Sequence, residues 1–186
     1  MSFPDVLMAA GLVLLVGVVL VAITKTGEES ASLRAAKEAT GAVDRYAKTA
    51  GWTHVPKEEH VPAGLLKGLP NVGRSVAVAG THEGRAVKVA VLSSYAPNQA
   101  AGAQNGTTTF ALVVVFDAPE LPADAAVDPG SRVVSALKPY QVPVLEITDG
   151  LACFTFTDLA VAGELDHVIG LTHDVVKALG SVRNAE

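Results

Sequence analysis

From Val6 to Ile23 the chain reads VLMAAGLVLLVGVVLVAI, eighteen residues without a charge, an amide or a hydroxyl. As a helix this stretch spans about 27 Å, close to the ~30 Å hydrocarbon core of a bilayer. An apolar run of that length predicts a membrane-spanning helix, and it constrains everything downstream to be hung from a membrane. A cleaved signal peptide would carry Lys or Arg ahead of the apolar core and a small-residue cleavage pattern behind it. Here MSFPD precedes the run and ITKTGEES closes and follows it, and no Cys follows to take a lipid. A retained anchor is therefore expected. Ser2, Pro4 and Asp5 suit a helix start, as cap, first-turn residue and partner for the positive dipole end. Lys25, Arg34 and Lys37 all follow the run and no basic residue precedes it. The positive-inside rule then predicts an outer N-terminus and a cytoplasmic C-terminal domain at the plasma membrane.

Small residues mark one side of this anchor. Ala10 and Gly17 are seven residues apart and share a helix face, and with Val13 and Leu14 they form the expected docking surface for a partner helix. Helix association in lipid relies on close packing, which small residues permit. The competing reading is that Gly and Ala are common in membrane helices generally.

The 186 residues leave room for one anchor and one modest domain. The expected division is an anchor over 1–25, an amphipathic Ala-rich helix over 26–51 and an α+β domain over 52–186. In the second segment Leu33, Ala36, Thr40, Val43, Ala47 and Ala50 recur at helical spacing, and Gly51 is placed to cap the end. The apolar stripe is thin, which suits a stalk or a helix folded onto its own domain better than one lying in a membrane surface.

Beyond Gly73 the period changes to two. Val76 and Val78 alternate, THEGR turns the chain at Glu83-Gly84, and Val87, Val89 and Val91 alternate again, predicting an antiparallel hairpin. TTTFALVVVF, Thr107 to Phe116, is apolar on both faces and predicts a central strand joined antiparallel to its predecessor. Val133-Val134 begins a further short element. Val144 to Thr148 and Leu151 to Phe156 flank Asp149-Gly150, a type I′ hairpin signal. Leu165, Val168, Ile169, Thr172, Val175, Val176 and Leu179 then mark a helix expected to stop at Gly180. The fold class is α+β: an N-terminal transmembrane helix, an antiparallel sheet of five or six strands, and a C-terminal covering helix.

Motifs for chemistry are weak throughout. A net charge of −5 without a basic stripe gives no basis for nucleic-acid binding. Cys153 is the lone cysteine, read as a buried structural thiol in mid-strand. GLPNVG, Gly68 to Gly73, lacks both the Walker lysine and the GxGxxG spacing. HVPKEEH, His54 to His60, offers two His and two Glu but no standard ligand spacing. His167 and His173 lie six residues apart, about 120° around a helix, and are expected to be exposed and not to share a metal. No catalytic residue, cofactor or metal is assigned, and the chain is not read as an enzyme.

The stretches Gly51-Trp52, GTHEGRAVKVAV (Gly80 to Val91), TTTFALVVVFDAPELP (Thr107 to Pro122) and DGLACFTF (Asp149 to Phe156) follow the anchor in an order that resembles a group of actinobacterial single-pass membrane proteins of unassigned function. The layout also looks like the small accessory subunits of the actinobacterial cytochrome bcc–aa3 respiratory supercomplex. That resemblance implies an integral-membrane partner and no catalytic residues. The expected function is a non-catalytic single-pass accessory subunit of a larger membrane complex. A membrane-tethered ligand-binding, metal-binding or enzymatic domain is the alternative, built on HVPKEEH and the small-residue loop Ala96 to Gly106. A self-associating scaffold is the third reading.

Overall fold

Alternating β-branched residues between two tight turns build the sheet. In the computed structural model, which describes residues 31–56, 72–97, 106–122, 137, 139 and 144–182, six strands form one antiparallel sheet. They are β1 (Thr53–His54), β2 (Val72–His82), β3 (Arg85–Pro97), β4 (Gly106–Asp117), β5 (Val144–Thr148) and β6 (Leu151–Phe156), in the order β1-β2-β3-β4-β6-β5. Helix α1 covers 31–50, and a 3₁₀ turn (Leu159–Glu164) leads into α2 (Leu165–Val182). The α+β class and the antiparallel sheet are as the sequence predicts. The stretch Val6–Ile23 lies outside the described residues, with its expected docking residues Ala10, Val13, Leu14 and Gly17. So do 57–60 of HVPKEEH, 98–105 of the small-residue loop and the Val133-Val134 element. Among the described residues no helix is long and apolar enough to cross a membrane.

Both predicted hairpins close through two-residue turns. Glu83 and Gly84 have φ of 47° and 81°, and Asp149 and Gly150 have 52° and 75°. Two consecutive positive φ values are the type I′ geometry, whose twist matches that of the flanking strands. His82 therefore faces Arg85, and Thr148 faces Leu151. A register shift between Arg74 and Val76 marks a bulge in β2.

The central strand is buried on both faces, as its composition predicts. Leu112, Val114 and Phe116 join Val78, Val87, Val89, Val91, Phe154 and Phe156 in the main core. Val113 and Val115 lie on the opposite face with Ala77, Ala90, Leu92 and Cys153. The main core is completed by two helices rather than by the C-terminal one alone. From α1 come Ala36, Ala39, Val43 and Ala47; from α2 come Leu165, Val168, Ile169, Val175 and Val176. The unit that carries the sheet begins at Ala35, so α1 is folded onto its own domain. Its stripe is displaced from the expected one: Ala39 is buried, whereas Leu33 is 49% exposed and Ala50 is exposed. Alanines supply little burial energy, roughly 0.8 kcal/mol per CH₂ equivalent, and their use is steric, letting the helix backbone approach the core closely.

The end of α1 is a Schellman cap. Gly51 takes φ +70°, and the Trp52 N–H donates to the Ala47 carbonyl at 2.8 Å. The expected hydrophobic contact across such a cap is the edge-on pair of Tyr46 and Trp52, 5.2 Å between centroids. At the other end of the chain Gly180 does not stop α2, which continues to Val182. A single helical glycine costs only about 1 kcal/mol, too little to terminate a helix by itself.

Candidate functional site

Three residues that could ligate a metal meet where the β2–β3 turn approaches α2. The type I′ turn needs a short connection with left-handed backbone, and Glu83-Gly84 supplies it, placing His82 and Glu83 at the tip. His173 comes from α2. One donor atom from each of His82, Glu83 and His173 lies within 4.8 Å of the others, and the His173 Nδ1 is 3.5 Å from the Glu83 Oε2.

His173 is 3% exposed, which corrects the expectation of a solvent-facing histidine. The reason is angular. At 100° per residue, position 173 lies only about 40° from Ile169 and 60° from Val176, inside the apolar stripe rather than beside it. His167 faces the other way and is exposed. The buried imidazole stacks on Phe116, with centroids 5.7 Å apart and planes 20° apart. It also meets the His82 ring edge-on at 5.2 Å. The ring is therefore held from two sides.

Charge around the cluster is mixed. Lys177, one helical turn beyond His173, hydrogen-bonds and pairs with the Glu83 carboxylate. That hydrogen bond, with the lysine's charge, holds the Glu83 carboxyl below the usual range. Burial is the main cause that pushes the His173 imidazole down. The charges of Lys177, His82 and Arg85 act in the same direction, and Glu83 opposes them. A depressed histidine is neutral at pH 7, which is the form that offers a lone pair to a metal. Beyond the turn, Arg85 donates to the Asp117 carbonyl and pairs with Glu120, fixing the chain that leaves β4.

Other residues singled out by the sequence do not converge. Cys153 is 1% exposed, and burial pushes its thiol up to about 12, so it is no thiolate nucleophile at neutral pH. His54 of HVPKEEH lies 3.8 Å from Asp44 on α1. An open groove of about 460 Å³ runs between α1 and the start of α2, with Arg45, Tyr46, Asp166 and His167 among its lining. Burial, with the Asp166 carboxylate acting in the same direction, raises the Tyr46 phenol there. A groove this open does not enclose a small molecule as binding cavities commonly do.

The His82–Glu83–His173 cluster is not legible in the sequence. THEGR reads locally as a turn, and His173 lies 89 positions beyond the turn's last residue, Gly84. The usable signal was the helical phase of His173, which places a polar ring among buried positions. Comparison with protein-family models, with curated proteins and with solved structures gave no match.

Proposed function

We propose that the chain is a non-catalytic, single-pass accessory subunit of a larger membrane complex. The observation that carries this reading is the eighteen-residue run Val6–Ile23, free of any polar side chain. Ala10, Val13, Leu14 and Gly17 face a partner helix in this reading, and the α+β domain stands on the cytoplasmic side, following Lys25, Arg34 and Lys37. The domain unit starts at Ala35, twelve positions after Ile23 in the sequence. The layout resemblance makes a cytochrome bcc–aa3 respiratory supercomplex the first partner to examine. Among the described residues, Cys153 is a buried, protonated thiol, as a structural cysteine would be.

Affinity purification of the full chain in mild detergent, followed by proteomics, tests the proposal. Integral membrane proteins should co-purify in fixed ratio. A chain that runs as a lone monomer would overturn it. Gly17→Leu should lower recovery of the partner; unchanged recovery would show that this face is not the interface.

A further inference from the structure

We propose that His82, Glu83 and His173 form a binding site for a divalent transition-metal ion of the zinc type, and that the ion displaces the Lys177 ammonium from Glu83. Two imidazoles and a carboxylate are a donor set that zinc accepts, leaving one coordination position for water. Around a tetrahedral zinc with bonds of about 2.0–2.1 Å, neighbouring ligand atoms are roughly 3.3 Å apart. The separation of His173 Nδ1 and Glu83 Oε2, 3.5 Å, is already near that value. No pair of the three donor atoms is farther apart than 4.8 Å, so closing the set takes side-chain rotation and no rearrangement of the fold.

The division of labour among the three residues favours a site that closes on an ion. His173 is the rigid member, buried, stacked on Phe116 and met edge-on by His82. The Glu83 side chain is 58% exposed at a turn tip. A cation already occupies the carboxylate: Lys177, itself 52% exposed, reaches back one turn along α2 to pair with it. A dipositive ion held by three donors competes with that single ammonium, and Lys177 can swing into solvent when displaced. The ion would tie the β2–β3 turn to α2, two segments otherwise joined here by the Lys177 pair and the ring contacts. Because it binds the folded arrangement, it raises the stability of the domain as its concentration exceeds Kd.

This inference is independent of membrane docking, since it is read on the full chain alone in detergent. Titration with Zn²⁺, using a competing chromophoric chelator, should give one ion per chain and a rise in Tm. Substitution by Co²⁺ should give the intense visible absorption of a tetrahedral site. Glu83→Gln and His82→Ala should each weaken binding by about tenfold or more, as loss of one of three ligands requires. Lys177→Met should tighten it by about threefold or more. His173→Ala is less useful, since removing a buried ring can unfold the domain. His60→Ala serves as the control for HVPKEEH and should leave the affinity unchanged. Absence of saturable one-to-one binding overturns the site, as does unchanged affinity in both Glu83→Gln and His82→Ala. Loss of binding in His60→Ala would move the ion elsewhere, and unchanged or weaker binding in Lys177→Met would refute the displacement.

Discussion

Replacing Gly80 by alanine should destabilise the domain, although alanine is ordinarily the better residue inside a strand. A Cβ at position 80 would lie 2.3 Å from Trp52 Cδ1 and Cγ and 2.4 Å from Cδ2. Ordinary carbon contacts are about 3.5–4.0 Å, so the indole must retreat by more than ~1 Å. It has little freedom to do so. Its backbone N–H closes the α1 cap on Ala47, and its ring meets Tyr46 edge-on. Overpacking of this kind costs about 1–3 kcal/mol. The gain from replacing a strand glycine offsets about 0.5–1 kcal/mol. A net loss of about 1–2 kcal/mol is expected, which for a unit of this size lowers Tm by roughly 2–8 °C. Urea unfolding and thermal melts followed by circular dichroism on the full chain in detergent measure it. The double-mutant cycle with Trp52→Ala gives the cause: once the indole is gone, Gly80→Ala should be neutral or stabilising. A Gly80→Ala protein as stable as the parent would refute the packing of Trp52 on β2. An identical cost in the Trp52→Ala background would show that the strain lies elsewhere.

The remaining expectations are briefer. Gly170→Ala should raise stability by about 0.5–1 kcal/mol, because it lies inside α2 and a Cβ there meets nothing within 4 Å; a lower urea midpoint would contradict the local geometry. Val43→Ala should cost about 1–3 kcal/mol, since the side chain is 0% exposed in the main core. A stalk helix would tolerate that change, so an unaltered melt would remove α1 from the domain. Cys153 should resist iodoacetamide at pH 8 in the folded chain and react once urea unfolds it. Its folded-state pKa, raised to about 12, also means that the thiol's contribution to stability is intact below pH ~9 and is lost as pH climbs toward 12. Rapid labelling without denaturant would place Cys153 at the surface.

What the sequence revealed follows the range over which each feature is encoded. Hairpins were legible because a two-residue turn and the alternation beside it are contiguous; Glu83-Gly84 and Asp149-Gly150 fix the register by themselves. The central position of β4 followed from apolar residues on both of its faces. The exact phase of α1 did not follow, because alanine is nearly neutral between core and solvent. Ala36, Ala39 and Ala47 are buried while Ala50 is exposed, and hydropathy cannot separate them. What decides is the shape of the surface beneath, including the space at Gly80 that Trp52 fills. Neither residue signals that contact in its own local sequence.

The cluster around His173 shows the same limit more sharply and also distinguishes two accounts of it. A histidine inside an apolar stripe gives up its hydration, and a leucine or phenylalanine would pack against Phe116 without that cost. If the ring served packing alone, His173→Phe would be tolerated and nothing else at the turn would respond. If its role is the Nδ1 presented to Glu83, the same substitution leaves the core filled but removes a donor from the cluster. Lys177 separates the cases further. As a plain surface pair, its contact with Glu83 is worth little and is screened by salt. As the resident cation of a metal site, it pairs with the carboxylate and lowers the apparent affinity of any ion that must displace it. Its removal would then change stability little without metal and strengthen the response to Zn²⁺. A surface pair gives no reason for those two effects to diverge, whereas displacement of one cation by another requires it.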